Sequence, residues 1–250
     1  MSVLVVIPAR YGSVRFPGKP LASLHGKPVI QHVYEQVART TRADEVVVAT
    51  DDERIREVVE RFGGTVVMTS PTLQSGTERA AEVARARSAE VIINVQGDEP
   101  LIQPDMVDAL VDFLERHRAV PMASLMTKLA RPEDAANPNV VKVVVDRDGF
   151  ALYFSRAPIP FVRSDQPRGV ASQAWKHLGI YGYQRHFLLQ FPSLPPTPLA
   201  QLEQLEQLRA LEHGYRIKLL ETVHDTIGVD TPEDLGKVEA ILQKSAARMR

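Results

Sequence analysis

The stretch "VLVVIPARYGSVRFPGKPL", residues 3–21, joins an uninterrupted apolar run to a loop that carries three cations. Its first seven residues are apolar throughout, a pattern typical of a strand covered on both faces within a parallel sheet. The loop holds Arg10, Arg15 and Lys19, with no acidic residue between them. Because ligands bind beyond the carboxyl ends of strands in open α/β sheets, this pattern favours an anion site over an ordinary basic surface loop.

Outward from this stretch, strand-like runs alternate with amphipathic segments through the first half of the chain. The predicted strands are residues 3–9, 45–50, 65–69, 90–96 and 122–128. The predicted helices are residues 28–40, 52–63, 77–88 and 105–117, with Asp51 or Asp52 as the cap of the second helix. This alternation predicts a doubly wound α/β fold with a mostly parallel central sheet.

The second half contains a smaller β-rich subregion, residues 130–200, within a single α/β domain that spans residues 1–250. Residues 139–160 predict a hairpin that turns at 146–149, and the polar residues 161–174 predict a mobile loop. The remaining predicted elements are a strand at 177–184, one amphipathic helix at 199–214, a strand at 217–223 and a C-terminal helix capped by Thr231.

Composition excludes several classes of function. The chain has 250 residues, a formal net charge of −1 and no cysteine, which excludes disulfides, thiolate metal sites and a cysteine nucleophile. Near-neutral charge without a basic stripe argues against nucleic acid or a membrane surface as a partner. The first residues lack the features of a signal peptide, and no apolar run approaches the length of a membrane span. We therefore expect a cytoplasmic protein.

Two later segments bring carboxylates that could accompany the basic loop. "NVQGDEP", residues 94–100, ends a predicted strand, so Gln96 and Asp98 reach the same sheet edge as the loop. Asp98 either holds a hard cation or begins a turn before Pro100. Asp230, in "GVDTPEDL", is a second carboxylate or a turn and cap residue. Two carboxylates together with the oxygens of a bound phosphate would suit Mg²⁺.

The order of short motifs along the chain resembles that of a known family. The segments are "RYGSVRFPGKPL", "SGTER" (75–79), "NVQGDEP", "NPNVVKVV" (137–144), "YFSRAPIP" (153–160), "HLGIYGY" (177–183), "LEQLR" (205–209) and "GVDTPEDL". They resemble the sugar-activating nucleotidyltransferases, in the branch of cytidylyltransferases for eight- and nine-carbon 2-keto acids such as 3-deoxy-D-manno-octulosonate (Kdo). The resemblance extends from residue 3 to about residue 235. It implies CTP and Kdo as substrates and CMP-Kdo, for lipopolysaccharide synthesis, as the product.

The resemblance also assigns residues to roles. The catalytic residues would be Lys19, Arg10, Asp98 and Asp230, and the last two would hold Mg²⁺. The nucleotide-binding residues would be Pro8, Ala9, Arg10, Gly12, Ser13, Arg15, Lys19, Ser75, Gly76, Thr77, Arg79 and Gln96. The sugar-binding residues would be Gln96, Arg156, His177, Tyr181, Glu206 and Gln207. Family members pair as homodimers through the middle segment, so we expect a homodimer.

Other interpretations stay open from the residues themselves. Without the resemblance, Arg156 would be a surface arginine, His177 a core histidine, and Glu206 and Gln207 the solvated face of a helix. "SGTER" would be a helix cap with a salt-bridging arginine. The acceptor could be an amino variant of Kdo or N-acetylneuraminate. Two alternatives are not enzymes: a regulator that binds nucleotide or sugar without catalysis, and a nucleic-acid-binding module.

Overall fold

The computed structural model describes residues 1–12, 15–129, 131–161, 163 and 174–248. Within these residues, nine strands form one sheet, and two short strands pair separately. The strands of the large sheet are β1 (Val3–Ala9), β4 (Glu45–Thr50), β5 (Val66–Met68), β6 (Val91–Asn94), β7 (Met122–Lys128), β8 (Lys142–Val145), β9 (Ala151–Ser155), β10 (Trp175–Gln184) and β11 (Ile217–Glu221). The separate pair is β2 (Ser23–Leu24) with β3 (Lys27–Pro28). All five strands predicted in the first half are present.

The sheet has the order β11-β7-β10-β6-β1-β4-β5, with β8 and β9 attached beside β10. Strand β1 lies parallel to both β4 and β6, and β7 lies parallel to β11. Strand β10 runs antiparallel between β6 and β7. The predicted doubly wound, mostly parallel sheet is therefore confirmed, with one long antiparallel strand that joins its two parallel parts.

Helices cover both faces of the sheet. They are α1 (Val29–Val37), α2 (Glu53–Arg61), α3 (Gly76–Arg85), α4 (Pro104–Arg116), α5 (Pro132–Ala136), α6 (Arg185–Gln190), α7 (Pro198–Glu203), α8 (Gln207–Glu212) and α9 (Pro232–Arg248). None of the helices in the described ranges combines the length and apolarity needed to cross a membrane.

The alternation of β1 side chains explains why its sequence is apolar without interruption. Val3, Val5 and Ile7 pack with α1, α2 and α4, whereas Leu4 and Val6 pack with α3 and α6 on the other face. Each fully buried aliphatic side chain of this kind stabilises the fold by about 1.5–3 kcal/mol. The strand is thus fixed between two cores, and its carboxyl end at Ala9 holds the basic loop in place.

The helix predicted over residues 199–214 is wrong as a single element. It divides into α7 and α8, because Gln204 adopts a left-handed conformation with φ 53°. The guanidinium of Arg156 accounts for the break, since it donates hydrogen bonds to the carbonyl oxygens of Glu203 and Gln204. In a continuous helix the Glu203 oxygen would instead accept from a backbone N–H four residues later. A distant side chain therefore overrides a local helical pattern.

Other local predictions are confirmed or lie outside the described residues. The hairpin of β8 and β9 turns at Gly149, which has φ 75°. Asp52 is the cap of α2, and Thr231 Oγ1 accepts from Asp234 N at 3.3 Å as the predicted cap of α9. The predicted mobile loop lies outside the described residues except for residues 161, 163 and 174.

Candidate functional site

The loop after β1 folds back on itself at the carboxyl edge of the sheet. Gly18 N donates to Tyr11 O at 2.8 Å, and Gly18 has φ 72°. A Cβ atom on Gly18 would lie 3.1 Å from the Tyr11 ring, so this closure requires glycine. Lys19 then begins a short 3₁₀ turn that ends at Leu21. Ser13 of the predicted nucleotide site lies outside the described residues.

The cations of this loop have acidic partners from two distant segments. Lys19 Nζ donates to Asp98 Oδ2 and, at 3.0 Å, to Asp230 Oδ1. Arg15 Nη2 lies 2.9 Å from the other oxygen of Asp230. Burial opposes the charged form of Lys19, but Asp98 and Asp230 outweigh burial and raise the pKa of Lys19. The structure thus joins both predicted metal ligands and two predicted phosphate-binding cations in one cluster.

Backbone contacts hold the two carboxylates close together. Val229 N donates to Asp98 O at 2.8 Å, which fixes the segment before Asp230 against the turn after β6. Glu99 is half-buried in this turn, and desolvation, followed by the charge of Asp98, raises the pKa of Glu99 to about 7. A Cβ atom on Gly228 would lie 3.2 Å from Glu99 Oε1. Small residues and backbone bonds therefore set the distance between Asp98 and Asp230.

The ends of β1, α3 and β6 approach each other at glycines. A Cβ atom on Gly97 would lie 2.7 Å from Pro8 O and 3.4 Å from the Cβ of Ala9. A Cβ atom on Gly76 would lie 3.3 Å from Pro8 Cγ and 3.5 Å from Gln96 Oε1. Larger side chains at either glycine would separate these elements. The predicted residues Pro8, Ala9, Gly76 and Gln96 are thus neighbours in the fold.

A polar cavity of about 300 Å³ opens beside the basic loop. It is lined by Arg10, Tyr11, Gly12, Asp51, Asp52, Pro71, Leu73 and Gln74. Arg10 Nη2 donates to Leu73 O at 2.9 Å, and burial, followed by the charge of Arg79, lowers the pKa of Arg10. Asp51 was not among the expected site residues, because an acid before a helix resembles a cap.

The start of α3 lies between this cavity and the second half of the chain. Ser75 caps α3 by accepting from Glu78 N at 3.2 Å, and Thr77 Oγ1 donates to Glu206 Oε2 at 2.7 Å. Arg79 is fully buried, and its Nη2 donates to Asp51 Oδ2 at 3.1 Å. The predicted nucleotide-binding residue Arg79 therefore does not line the cavity itself but contacts Asp51, which does.

The predicted sugar-binding residues of β10 and α8 form a connected group. The rings of His177 and Tyr181 lie 5.4 Å apart, and Tyr181 OH donates to Gln207 Oε1 at 3.1 Å. Ser124 Oγ lies 2.9 Å from His177 Nε2. Burial lowers the pKa of His177 to about 3, so its imidazole is neutral near pH 7. His177 and Gln207 are both buried, so this group packs neutral hydrogen-bonding side chains beside Glu206.

Arg156 connects three segments of the chain. Its guanidinium donates to Glu203 O at 2.8 Å, to Pro138 O at 2.9 Å and to Gln204 O at 3.3 Å. Glu203 in turn accepts from Arg156 N at 2.8 Å and from Ser155 Oγ at 2.6 Å. A guanidinium has five N–H donors, so two remain beyond these three carbonyl bonds.

Comparison with known proteins identifies the family of this chain. A family model described as cytidylyltransferase matches residues 4–218, which is most of the chain. The chain belongs to the cytidylyltransferase family. The match includes the loop after β1, the start of α3, the turn after β6 and the predicted sugar-binding residues of β10 and α8.

Similar proteins of this family match over nearly their whole length. The chain is 52% identical over 245 residues to a 3-deoxy-manno-octulosonate cytidylyltransferase of Geobacter sulfurreducens, with 95% of this chain and 98% of the relative covered. A protein of the same name from Syntrophotalea carbinolica is 54% identical, with 97% and 99% covered.

Solved structures extend the comparison to the fold. A CMP:2-keto-3-deoxy-manno-octonic acid synthetase complexed with CTP is 43% identical, has a TM-score of 0.91, and is matched over 98% of this chain and 100% of its own. A cytidylyltransferase of Leptospira borgpetersenii, 18% identical with a TM-score of 0.64, shares the fold over 98% of this chain and 87% of its own.

Proposed function

We propose that this chain transfers the cytidylyl group of CTP to the anomeric 2-hydroxyl of Kdo. The hydroxyl oxygen attacks the α-phosphorus, the bond from that phosphorus to the bridging oxygen breaks, and pyrophosphate leaves. The hydroxyl proton passes to solvent. The observation that carries the proposal is the convergence of Lys19, Arg15, Asp98 and Asp230 beside a polar cavity at the carboxyl edge of the sheet.

The cations of the first loop supply the charge that the reaction requires. In-line phosphoryl transfer depends mainly on positioning and on neutralisation of the charge that develops on the leaving pyrophosphate. Lys19, Arg15 and Arg10 offer charge-assisted donors, and Gly12 permits close approach of a phosphate to the backbone. We assign the triphosphate to this loop, with Ser75, Gly76 and Thr77 beside the nucleoside.

The donor set of the acidic pair fits Mg²⁺. Asp98 and Asp230 already converge on one cation, the ammonium of Lys19, although their positions are 132 residues apart. Mg²⁺ takes one or two protein carboxylates together with substrate phosphate oxygens. No larger cluster of acids and histidines suitable for a metal occurs in the part of the chain that the structure describes. Asp98 and Asp230 would hold the ion, which, when bound, would polarise the α-phosphate.

The acceptor is assigned to the face formed by β10 and α8. His177, Tyr181 and Gln207 offer neutral hydrogen-bonding groups that suit sugar hydroxyls. Among the described contacts Arg156 has two N–H donors left for the carboxylate of the acid, and Glu206 accepts a hydrogen bond from Thr77. Gln96 lies between the halves, because its side chain approaches both Gly76 and Gly179. We therefore keep Gln96 in both the nucleotide and the sugar site.

A single assay tests this function. The protein is incubated with Mg²⁺, Kdo and each nucleoside triphosphate in turn, and pyrophosphate release is measured. We expect release with CTP and Kdo together, and much less when N-acetylneuraminate or 8-amino-Kdo replaces Kdo. Release with another sugar acid alone would correct the acceptor. Absence of release with every acid, despite CTP binding, would favour a regulator without catalysis.

We further propose a cytoplasmic homodimer that pairs through the middle segment. Leu152 on β9 and Leu202 on α7 are 62% and 80% exposed, which provides apolar surface for a second copy. Light scattering at micromolar concentration should give twice the mass of one chain, and the double change Leu152→Lys with Leu202→Lys should weaken the pairing. A wild-type protein that stays monomeric would contradict the dimer.

A further inference from the structure

The cavity beside the basic loop contains a carboxylate that the proposed reaction does not use. Asp51 follows β4 directly, lines the cavity, and has a side chain that is 22% exposed. Its Oδ2 accepts from Arg79 Nη2 at 3.1 Å, and its Oδ1 has no hydrogen-bond partner within the described ranges. One oxygen of Asp51 is therefore fixed, and none of the described residues occupies the other at the cavity.

The partner of Asp51 is anchored below the cavity. Arg79 is fully buried, and its Nη1 donates to Thr69 Oγ1. Thr69 Oγ1 in turn donates to Thr50 O at 3.1 Å, at the end of β4. A buried guanidinium is costly without a carboxylate partner, so Arg79 holds Asp51 in one orientation. The position of Asp51 is thus set by the fold rather than by solvent.

The neighbouring acid is not available in the same way. Asp52 also lines the cavity, but Arg54 occupies both of its oxygens, at 2.9 Å from Nε and 2.6 Å from Nη2. The Arg54 guanidinium also lies 3.3 Å from the centre of the Tyr11 ring. Of the two acids, Asp51 is the one with a carboxylate oxygen left for a ligand among the described contacts.

We infer that Asp51 Oδ1 accepts a hydrogen bond from the nucleoside part of CTP and so contributes to nucleotide selectivity; this rests on the proposed function. A carboxylate repels phosphate oxygens, so its partner must be a donor. The donors of CTP are the ribose hydroxyls and the 4-amino group of cytosine. Arg10 lines the same cavity, and the proposed function assigns it to the triphosphate, so we assign Asp51 to the nucleoside.

The first experiment uses the wild-type protein and measures equilibrium binding by calorimetry with Mg²⁺ present. The ligands are CTP, 2′-deoxy-CTP, 3′-deoxy-CTP and UTP, which remove the 2′-hydroxyl, the 3′-hydroxyl and the 4-amino group respectively. A hydrogen bond to a charged group predicts that at least one analogue binds about tenfold or more weakly than CTP. The analogue that loses affinity identifies the donor.

The second experiment uses variants of Asp51 and of one acid outside the cavity. Asp51→Asn should weaken CTP about tenfold and reduce the difference between CTP and the weak analogue. Asp51→Glu keeps a carboxylate opposite Arg79, so it should fold, yet it moves the oxygen and should lose the same discrimination. Asp112→Asn, on α4 outside the cavity, is the matched control and should discriminate among the nucleotides as the wild type does. Thermal melting of each variant verifies folding.

The outcomes separate the inference from the proposed function. Equal binding of all four nucleotides by the wild type would overturn the inference. Unchanged discrimination in both folded Asp51 variants would also overturn it, while CTP binding itself would leave the proposed function standing. A wild-type protein that binds no CTP would overturn both.

Discussion

The proposed nucleotide edge (Arg15, Lys19, Asp98 and Asp230) and the proposed acceptor region (β8 to β10 with α7 and α8) hold their cations in opposite ways. At the nucleotide edge, Lys19 and Arg15 contact the carboxylates of Asp98 and Asp230. In the acceptor region, buried Lys142 donates to the carbonyl oxygens of residues 137, 140 and 156, at 2.9, 2.7 and 2.5 Å. Carboxylate partners can be exchanged for phosphates or a metal ion, whereas carbonyl partners belong to the scaffold. The first arrangement suits chemistry and the second suits positioning.

The largest effect should follow from a change at the nucleotide edge. Asp98→Asn removes one charge of the acidic pair, and we expect turnover to fall by 10²- to 10³-fold, about 3–4 kcal/mol of transition-state stabilisation. Pyrophosphate release measures this loss, and urea unfolding shows whether the fold persists. Asp112→Asn, on the exposed face of α4, is the control and should retain wild-type turnover. Equal turnover in both variants would remove Asp98 from the site.

A change of Lys142 in the acceptor region should lower the stability of the fold and leave nucleotide binding unchanged. Lys142→Met keeps the length of the side chain but leaves the partly buried carbonyl oxygens of residues 140 and 156 without this donor, whereas that of residue 137 still accepts from Val140 N. We expect the free energy of unfolding to fall by about 2–3 kcal/mol, because unsatisfied buried acceptors are costly. CTP affinity by calorimetry should stay at the wild-type value. A variant with normal stability and impaired CTP binding would contradict this prediction, because Lys142 would then act in nucleotide binding and not in the stability of the fold.

These two regions also differ in what their sequences predict. The structure of β1 and its loop can be predicted from the local sequence, since seven apolar residues bury both faces of the strand and Gly18 closes the turn. The break between α7 and α8 could not be predicted, because Arg156 causes it from 47 positions away. Local patterns thus predicted strands and most helices, but not an element broken by a tertiary contact.

The sequence predicted most residues of the candidate site, but not the contacts between them. The strand end placed Asp98 at the sheet edge, but only the resemblance assigned one metal to both Asp98 and Asp230, since no spacing rule joins two acids so far apart. The structure shows that they share Lys19. The sequence did not indicate a role for Asp51 in the site, because Asp51 and Asp52 were both candidates for the cap of α2. The structure shows that Asp52 is the cap. Its distinguishing feature, the buried Arg79, appears only when β4 and α3 lie together.

The third prediction concerns pH and the acceptor face. His177 has a pKa lowered to about 3 by burial, against about 6.5 for an unfolded chain. Between these values the unfolded chain binds a proton that the folded chain does not, so stability falls as the pH falls from 6.5 toward 3. Between pH 6.5 and 4.5 this amounts to about 2 kcal/mol. His177→Gln should lose less stability over that interval in urea unfolding, and an equal loss would contradict a neutral His177.

The smallest expected effect tests whether the carboxylates at the nucleotide edge can exchange their partner. In the structure Lys19 Nζ contacts both Asp98 and Asp230, so the lysine and a divalent cation compete for the same oxygens. Lys19→Met removes the competing charge and should increase the affinity for Mn²⁺ in the absence of nucleotide, on the order of tenfold. Electron paramagnetic resonance of free Mn²⁺ measures this without any turnover.

Lys27→Met is the control for that measurement, because Lys27 is exposed and pairs with Glu35 outside the site. It should bind Mn²⁺ as the wild type does. If Lys19→Met binds Mn²⁺ no better than Lys27→Met, the ammonium and the metal do not share the carboxylates. Lys19 would then be a fixed part of the nucleotide edge. It would differ from Lys142 only in having carboxylate instead of carbonyl partners, because a metal ion would not replace it.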